Sequence, residues 1–272
     1  MNKTIGIMGC GWLGLPLAQF LLKLGYSVKG TTSTASRLTD LKSKGVSPFL
    51  ITIKEQEIDG PLDTFLEGMD VLIVNIPPGL RKSNSGNYVA KMKRLKSRLQ
   101  ESVVNRVIFV SSTSVYGNLS GEIRETTTPQ PNTESGRQLL EAEQLFVTDD
   151  SLDSAIVRFG GLIGPGRHPA RQLSGRKGLK NGNQPVNLIH LDDCLHILTA
   201  VLQHGWWNMV FNAVYPEYPL KKDYYTSECK KLGLAVPEYL QTDKVEGKKV
   251  IPAQLVEKGY VFATGISSSN RD

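Results

Sequence analysis

The sequence predicts an α/β fold: a doubly wound parallel sheet with a smaller C-terminal lobe. Three observations carry that prediction. A short apolar strand at residues 4–8 runs through Gly9, Gly11 and Gly14 into an amphipathic helix. Two later segments, 70–79 and 106–112, are near-continuous apolar runs, the pattern of strands buried on both faces. Amphipathic helices separate such runs, so strand and helix alternate as parallel connections require.

The opening stretch, TIGIMGCGWLG, spells G-x-G-x-x-G in the order strand, turn, helix. The first glycine permits the tight turn, the second lets a pyrophosphate approach the backbone, and the third lets helix and strand pack closely. The helix N-terminus offers free N–H groups and partial positive charge to phosphates. This is a dinucleotide site of Rossmann type, with Gly9, Cys10, Gly11, Trp12, Leu13 and Gly14 as candidate contacts. Cys10 reads as a residue small enough for the loop; the other reading is a thiol acidified by the helix N-terminus.

The second strand, 26–32, ends where such a fold meets the adenosine ribose. An NAD-preferring site usually holds an acidic residue there, and none is present. Thr32, Ser33 and Arg37 supply hydroxyls and a guanidinium suited to a 2′-phosphate, so NADP is favoured over NAD. A helix at 34–44 stops at Gly45, and Pro48 gives the strand after it a less central place. At the end of the 70–79 run stand Asn75, Ile76 and Pro77, where ligands sit in open α/β sheets. Helix 87–103 buries Val89, Met92, Leu95 and Leu99. Its Lys91, Lys93, Arg94, Lys96 and Arg98 lack interleaved aromatics and read as a solvated face, not a nucleic-acid surface.

At 272 residues and a net charge of +6 the chain suits one α/β domain with an anionic small-molecule ligand. No apolar run reaches the roughly 20 residues of a membrane span. Three cysteines without metal-like spacing indicate a reduced, cytoplasmic protein with no metal site.

Further on, RVIFVSSTSVYG (106–117) is an apolar strand ending in Ser-Ser-x-x-Val-Tyr-Gly. It resembles the active-site strand of the extended short-chain dehydrogenases/reductases, the nucleotide-sugar epimerases and dehydratases. The helix ESGRQLLEAEQLF, the strand 154–166, the segment VNLIHLDDCLHIL and the strand 210–216 follow in that family's order. The resemblance implies a core of residues 1–163 and 186–212. It also implies a substrate-facing lobe of 164–185 and 213–265. The short, polar tail ISSSNRD, 266–272, reads as disordered. The N-terminus alone also resembles 3-hydroxyacid dehydrogenases, which continue into a long all-helical domain; the SSTSVYG strand argues against that reading.

The family's chemistry needs a Tyr as acid/base, a Lys one turn later to lower its pKa, and a Ser or Thr on the preceding strand. Ser112 matches the last. Registering the helix on Gly136 and Glu143 puts Ser135 at the Tyr position and Leu139 at the Lys position. A serine hydroxyl does not replace a phenol, and Leu139 carries no charge. Tyr116 remains a candidate acid, and Arg137 a candidate charge near Ser135. The resemblance is therefore to an atypical, YeeZ-like branch with the cofactor half kept and the dyad lost. The arginine that often precedes the family's His-Val-x-Asp strand is also missing: Val186 or Asn187 stands there. Arg167 and Arg171, in the basic loop 164–182, are the candidate substrate contacts. His168 invites a catalytic role; His190 reads as a core residue. Asp192 or Asp193 is expected to cap the following helix, and Arg158 to pair with a buried carboxylate. The implied function is an NAD(P)-dependent epimerase- or oxidoreductase-like activity on a small anionic or sugar-nucleotide substrate. The alternative is a catalytically silent NADP(H)-binding sensor or regulatory protein. The family dimerises through helices 87–103 and 133–147. The basic face of the first leaves monomer and homodimer both open.

Overall fold

A computed structural model describes residues 3–79, 86–241 and 247–267. The first half runs β1 (Thr4–Met8), α1 (Gly14–Lys23), β2 (Ser27–Thr32), α2 (Leu38–Ser43), β3 (Ser47–Leu50), β4 (Thr52–Ile53), β5 (Ile58–Asp59), α3 (Leu62–Leu66), β6 (Val71–Val74) and α4 (Tyr88–Gln100). There follow β7 (Arg106–Ser112), a 3₁₀ turn (Thr113–Tyr116), β8 (Gly121–Ile123), α5 (Glu134–Val147), β9 (Asp153–Phe159), β10 (Gly161–Ile163) and α6 (Pro169–Leu173). The chain continues through β11 (Leu188–His190), α7 (Leu191–His204), β12 (Met209–Ala213), α8 (Lys221–Lys231), β13 (Lys248–Val250) and α9 (Ala253–Glu257). Strands thus recur to residue 250, which excludes the all-helical continuation of a 3-hydroxyacid dehydrogenase.

Seven strands form one parallel sheet in the order β3-β2-β1-β6-β7-β9-β12. The chain winds outward from β1 to β3, then returns to place β6 on the other side of β1. That reversal opens a crevice at the C-terminal ends of β1 and β6, the place where such sheets bind ligands. All four residues of β6 are buried, as a strand covered on both faces should be. β3, with Pro48, lies at the sheet edge.

Each face of the sheet has its own core. One packs β-strand residues such as Ile5, Ile7 and Val157 against α1 and α7. The other packs Leu72, Val74 and Phe109 against α4 and α5. Val89, Met92, Leu95 and Leu99 are the buried stripe of α4. Its basic face is largely paired within the chain: Arg94 to the Glu55 carbonyl, Lys96 to Asp149, and Arg98 to Asp63 and Glu101. A third, smaller cluster joins Ile163, Ala170, Val186, Leu188, Tyr224, Tyr225 and Cys229.

Two expectations are corrected. Neither Asp192 nor Asp193 caps α7; the His190 ring does, its Nδ1 accepting from the Asp192 N–H at 3.2 Å. Asp193 instead reaches the C-terminal segment, accepting from the Ala263 and Thr264 N–H groups and the Tyr260 hydroxyl. Ile266, read as part of a disordered tail, is buried in the third cluster, and its carbonyl accepts from Tyr224. Residues 268–272 of that tail lie outside the described residues.

Candidate functional site

The glycine loop closes on itself and on its neighbours. The Gly11 N–H donates to the Gly9 carbonyl, and the Cys10 N–H to the Thr31 carbonyl. Asn75, at the end of β6, donates its side-chain N–H to the Gly9 carbonyl at 3.0 Å. The Gly9 N–H donates to the Thr31 hydroxyl, also at 3.0 Å. The N–H groups of Trp12, Leu13 and Gly14 have no partner among the described residues. They are the orphan donors of a helix N-terminus, available to a phosphate.

The three glycines meet different constraints. Gly9 has φ +106°, which disfavours any side chain, and an added Cβ would meet the Asn75 carbonyl oxygen at 2.6 Å. At Gly14 a Cβ would lie 2.2 Å from the Gly9 carbonyl oxygen. Gly11 is the exception: a Cβ there meets nothing within 4 Å. Its smallness is not demanded by the protein's own packing. It is what a group approaching the loop from outside would need.

Cys10 points away from this space. It is buried, with Sγ toward the Ile7 carbonyl, and would stand 2.5 Å from a Cβ at Gly30. Burial pushes its thiol up to about 12 despite the Arg37 guanidinium nearby, so the acidified-thiol reading is corrected. At the end of β2, Thr32 is buried and its hydroxyl accepts from the Thr34 N–H; Ser33 is exposed and Arg37 half-buried on the short turn before α2. Ile76 and Pro77 continue from Asn75, and the Ile76 carbonyl is held by the Tyr88 hydroxyl from α4.

At the end of β7, the Ser112 hydroxyl caps the 3₁₀ turn, accepting from Ser114. Ser135 is half-buried in the first turn of α5, beside Gly136, where a Cβ would touch the Ser114 carbonyl at 3.0 Å. Helix and turn are thus in contact, and Ser112 and Ser135 flank the contact. Leu139 is buried in the apolar core. Arg137 is exposed and paired with Glu134, so it brings no charge to Ser135. Tyr116 is fully buried. Its hydroxyl donates to Asn212 Oδ1 at 2.9 Å and accepts from Arg158 Nη1 at 2.8 Å. Burial raises its phenol above the usual value. It is a member of a core network with no proton to offer a substrate.

That network supplies the carboxylate expected for Arg158. Arg158 on β9 grips Glu143 of α5 with Nε and Nη2, the latter at 2.6 Å, and Ser111 of β7 donates to the same carboxylate. An arginine inside an apolar strand signalled that a partner exists; nothing in the sequence pointed to Glu143 over other acids. Asn212, which extends the network to the Ile251 carbonyl, had no sequence signal.

The loop after β10 folds back over the glycine loop. The Trp12 indole N–H donates to the Pro165 carbonyl, and the Arg167 guanidinium lies 5.0 Å from the Trp12 ring centre. Arg167 therefore stands beside the nucleotide loop. Arg171 is exposed on α6. His168 is buried, capping α6 with Nδ1 and meeting the Tyr224 hydroxyl with Nε2, which removes it from the candidate chemistry. Among the described residues, no three His, Cys, Asp or Glu side chains converge as metal ligands would. No helix among them is long and apolar enough to cross a membrane.

Comparison with known proteins agrees with this fold. The chain is 33% identical over 266 residues to protein YeeZ of Escherichia coli (strain K12), covering 96% of each. It is 27% identical over 228 residues to YtcB of Bacillus subtilis (strain 168), described as an uncharacterized UDP-glucose epimerase, covering 74% of this chain and 72% of that one. Its fold is similar to that of UDP-glucuronic acid 4-epimerase from Bacillus cereus, solved with UDP-glucuronic acid and NAD. The TM-score is 0.79 at 21% identity, over 97% of this chain and 95% of that one. The sequence profile of the NAD dependent epimerase/dehydratase family matches residues 5–213. The chain belongs to that family.

Proposed function

We propose that this protein binds NAD(P), with NADP preferred, and acts on a small anionic substrate of the sugar-nucleotide class through a non-standard active site. The open space beside Gly11 carries the cofactor half of that reading. Gly9 and Gly14 are glycines because the loop is crowded there; Gly11 has no such reason inside the protein. A dinucleotide pyrophosphate seated on the Trp12, Leu13 and Gly14 N–H groups would use that space. Arg167, stacked on Trp12, would add a cation to the same phosphates. Ser33 and Arg37 would meet the ribose 2′-phosphate. The nicotinamide, when bound, supplies hydride acceptance and return.

On the substrate side, Ser112 and Ser135 are the hydroxyls that would orient a substrate. With Tyr116 sealed in the core and Leu139 apolar, neither a phenol nor a neighbouring ammonium stands at the dyad positions. The same observation favours the second reading, an NADP(H)-binding protein without turnover. Cytoplasmic location and a monomer or homodimer belong to the proposal as well.

Titration with NADPH and NADH, followed by nicotinamide fluorescence, tests the cofactor claim. The parent should bind NADPH more tightly than NADH, with quenching of Trp12. Gly11→Ala should fold as the parent does and bind neither. Equal binding by parent and Gly11→Ala refutes the loop assignment. Incubation with UDP-sugars, followed by nicotinamide absorbance and sugar analysis, separates turnover from silent binding.

A further inference from the structure

A cavity of about 230 Å³ opens at the N-terminal ends of the strands, the end of the sheet away from the glycine loop. The parallel register assembles it. Thr4 pairs with Ser27, Ile5 with Val71 and Leu72 with Val107, so the starts of β1, β2, β6 and β7 stand side by side. Ile5 and Val71 give the cavity a buried apolar lining. Tyr26 and Trp207 add two half-buried aromatic rings, and Lys3 and Arg106 two cations. Gly205, in the left-handed conformation at φ +62°, ends α7 and turns the chain toward Trp207.

The protein leaves both cations unspent. Among the described residues, Lys3 Nζ makes neither a hydrogen bond nor an ion pair. The Arg106 guanidinium makes no hydrogen bond among them either. Its Nε is shielded from water and lies 3.6 Å from Asp153 Oδ2, too far for one. The side chain is 41% exposed, so its outer N–H donors stay within reach of a ligand. The guanidinium lies 5.9 Å from the Trp207 ring centre. Asp153 does not line the cavity, and its other oxygen accepts from Asn208. No acidic residue among those described lines it. Cations commonly answer a helix C-terminus by donating to its last carbonyls; neither of these donates to α7.

Apolar lining, aromatic rings and unspent cations together fit a small planar anion. A dry cavity of about 150 Å³ holds benzene; the larger volume here has room for one ring and an acidic group. A guanidinium offers a carboxylate two parallel N–H bonds, and a ring packs well against Tyr26 or Trp207. We infer that this cavity is a binding site for a small aromatic carboxylate. Arg106 is its carboxylate contact and Lys3 the second cation. β1, five residues and roughly 16 Å long, separates the site from the glycine loop.

The chain holds three tryptophans, so each indole N–H peak in ¹H–¹⁵N spectra reports its own place. Trp12 marks the glycine loop and Trp207 the cavity; Trp12→Phe and Trp207→Phe assign the peaks. Benzoate should move the Trp207 peak saturably and leave Trp12 still, with NADPH absent or present. Benzyl alcohol, the ring without the charge, and inorganic phosphate, the charge without the ring, should each bind at least about tenfold more weakly. Arg106→Gln should lose about tenfold in benzoate affinity, the scale of a charge-assisted hydrogen bond. Lys3→Gln, which removes no contact within the protein, should lose several-fold; it carries the test if Arg106→Gln fails to fold. A Trp207 peak that benzoate leaves in place overturns the inference. Parent-like benzoate affinity in folded Arg106→Gln or Lys3→Gln overturns it too, as does benzyl alcohol or phosphate binding as tightly as benzoate. A benzoate shift at Trp12 that NADPH abolishes places the ligand in the nucleotide crevice and overturns it as well.

Discussion

Arg158→Met is the substitution whose effect the structure specifies most closely. The Arg158 and Glu143 side chains are 5% and 1% exposed. Removing the guanidinium deletes three contacts to the carboxylate and one to the Tyr116 hydroxyl. Among the described residues, Glu143 is then left in the core with Ser111 as its one remaining donor. Breaking one side of a buried pair costs about 3–5 kcal/mol, because the remaining charge is unpaired. Against a total stability of about 5–15 kcal/mol that is a large share. At roughly 2–4 °C per kcal/mol for a chain near this size, the Tm should fall by about 6–20 °C. The double variant Glu143→Leu/Arg158→Met removes both charges and leaves the Ser111 hydroxyl without its acceptor. It should lose only about 1–3 kcal/mol, the cost of a buried unsatisfied polar group. Urea denaturation followed by circular dichroism on the parent, both singles and the double yields the coupling energy directly. A loss below about 1 kcal/mol in Arg158→Met, or a double variant losing the sum of the singles, refutes the reasoning.

Other outcomes follow from the same contacts. Gly14→Ala forces a Cβ against the Gly9 carbonyl, a backbone atom that cannot swing aside, and should cost about 2 kcal/mol or more; Gly11→Ala should stay within about 0.5 kcal/mol of the parent in the same urea assay. Asp193→Ala frees the Ala263 and Thr264 N–H groups and the Tyr260 hydroxyl; it should cost about 3 kcal/mol and speed tryptic cleavage at exposed Lys258, read by mass spectrometry. Lys248, at about 8 when folded and near 10.4 when unfolded, binds fewer protons in the native state between those values. Its contribution therefore makes stability rise as pH climbs from 8 toward 10.4, and is constant below 8. Melting curves across that range should show the rise in the parent and a flatter profile in Lys248→Met; equal slopes would rule the linkage out.

The fold was readable because its determinants are local and repetitive. Ile5, Ile7 and the 71–74 run have the apolar pattern that strands of a parallel sheet covered on both faces show, and the glycine motif needs a strand before it and a helix after it. The glycine loop was readable for the same reason. The position of its open N–H groups follows from Gly9, Gly11 and Gly14. Side-chain sites were readable in kind and not in partner. Arg158 demanded a carboxylate, yet Glu143 was read only as a marker for registering α5. Asp193 looked like a helix cap because it sits in the first turn of α7, while its partners, Ala263 and Thr264, lie 70 residues away in sequence. Lys248 carried no local pattern at all; only the pairing of β13 with β8 brings its ammonium to the 113–117 turn. The contrast within α5 shows why the dyad and the clamp part company. Glu143 is tied to Arg158, Ser111 and, through Arg158, Tyr116, so losing it would unbalance a buried charge and the sheet with it. Leu139 is held by packing in the same core, and Ser135, half-buried in the first turn of α5, joins no part of that clamp among the described residues. Leu139 buries well where a lysine would have to reach out of the core. Folding therefore holds both the clamp and Leu139 in place whatever the chemistry, and of the two dyad positions only 135 is left loose by the packing.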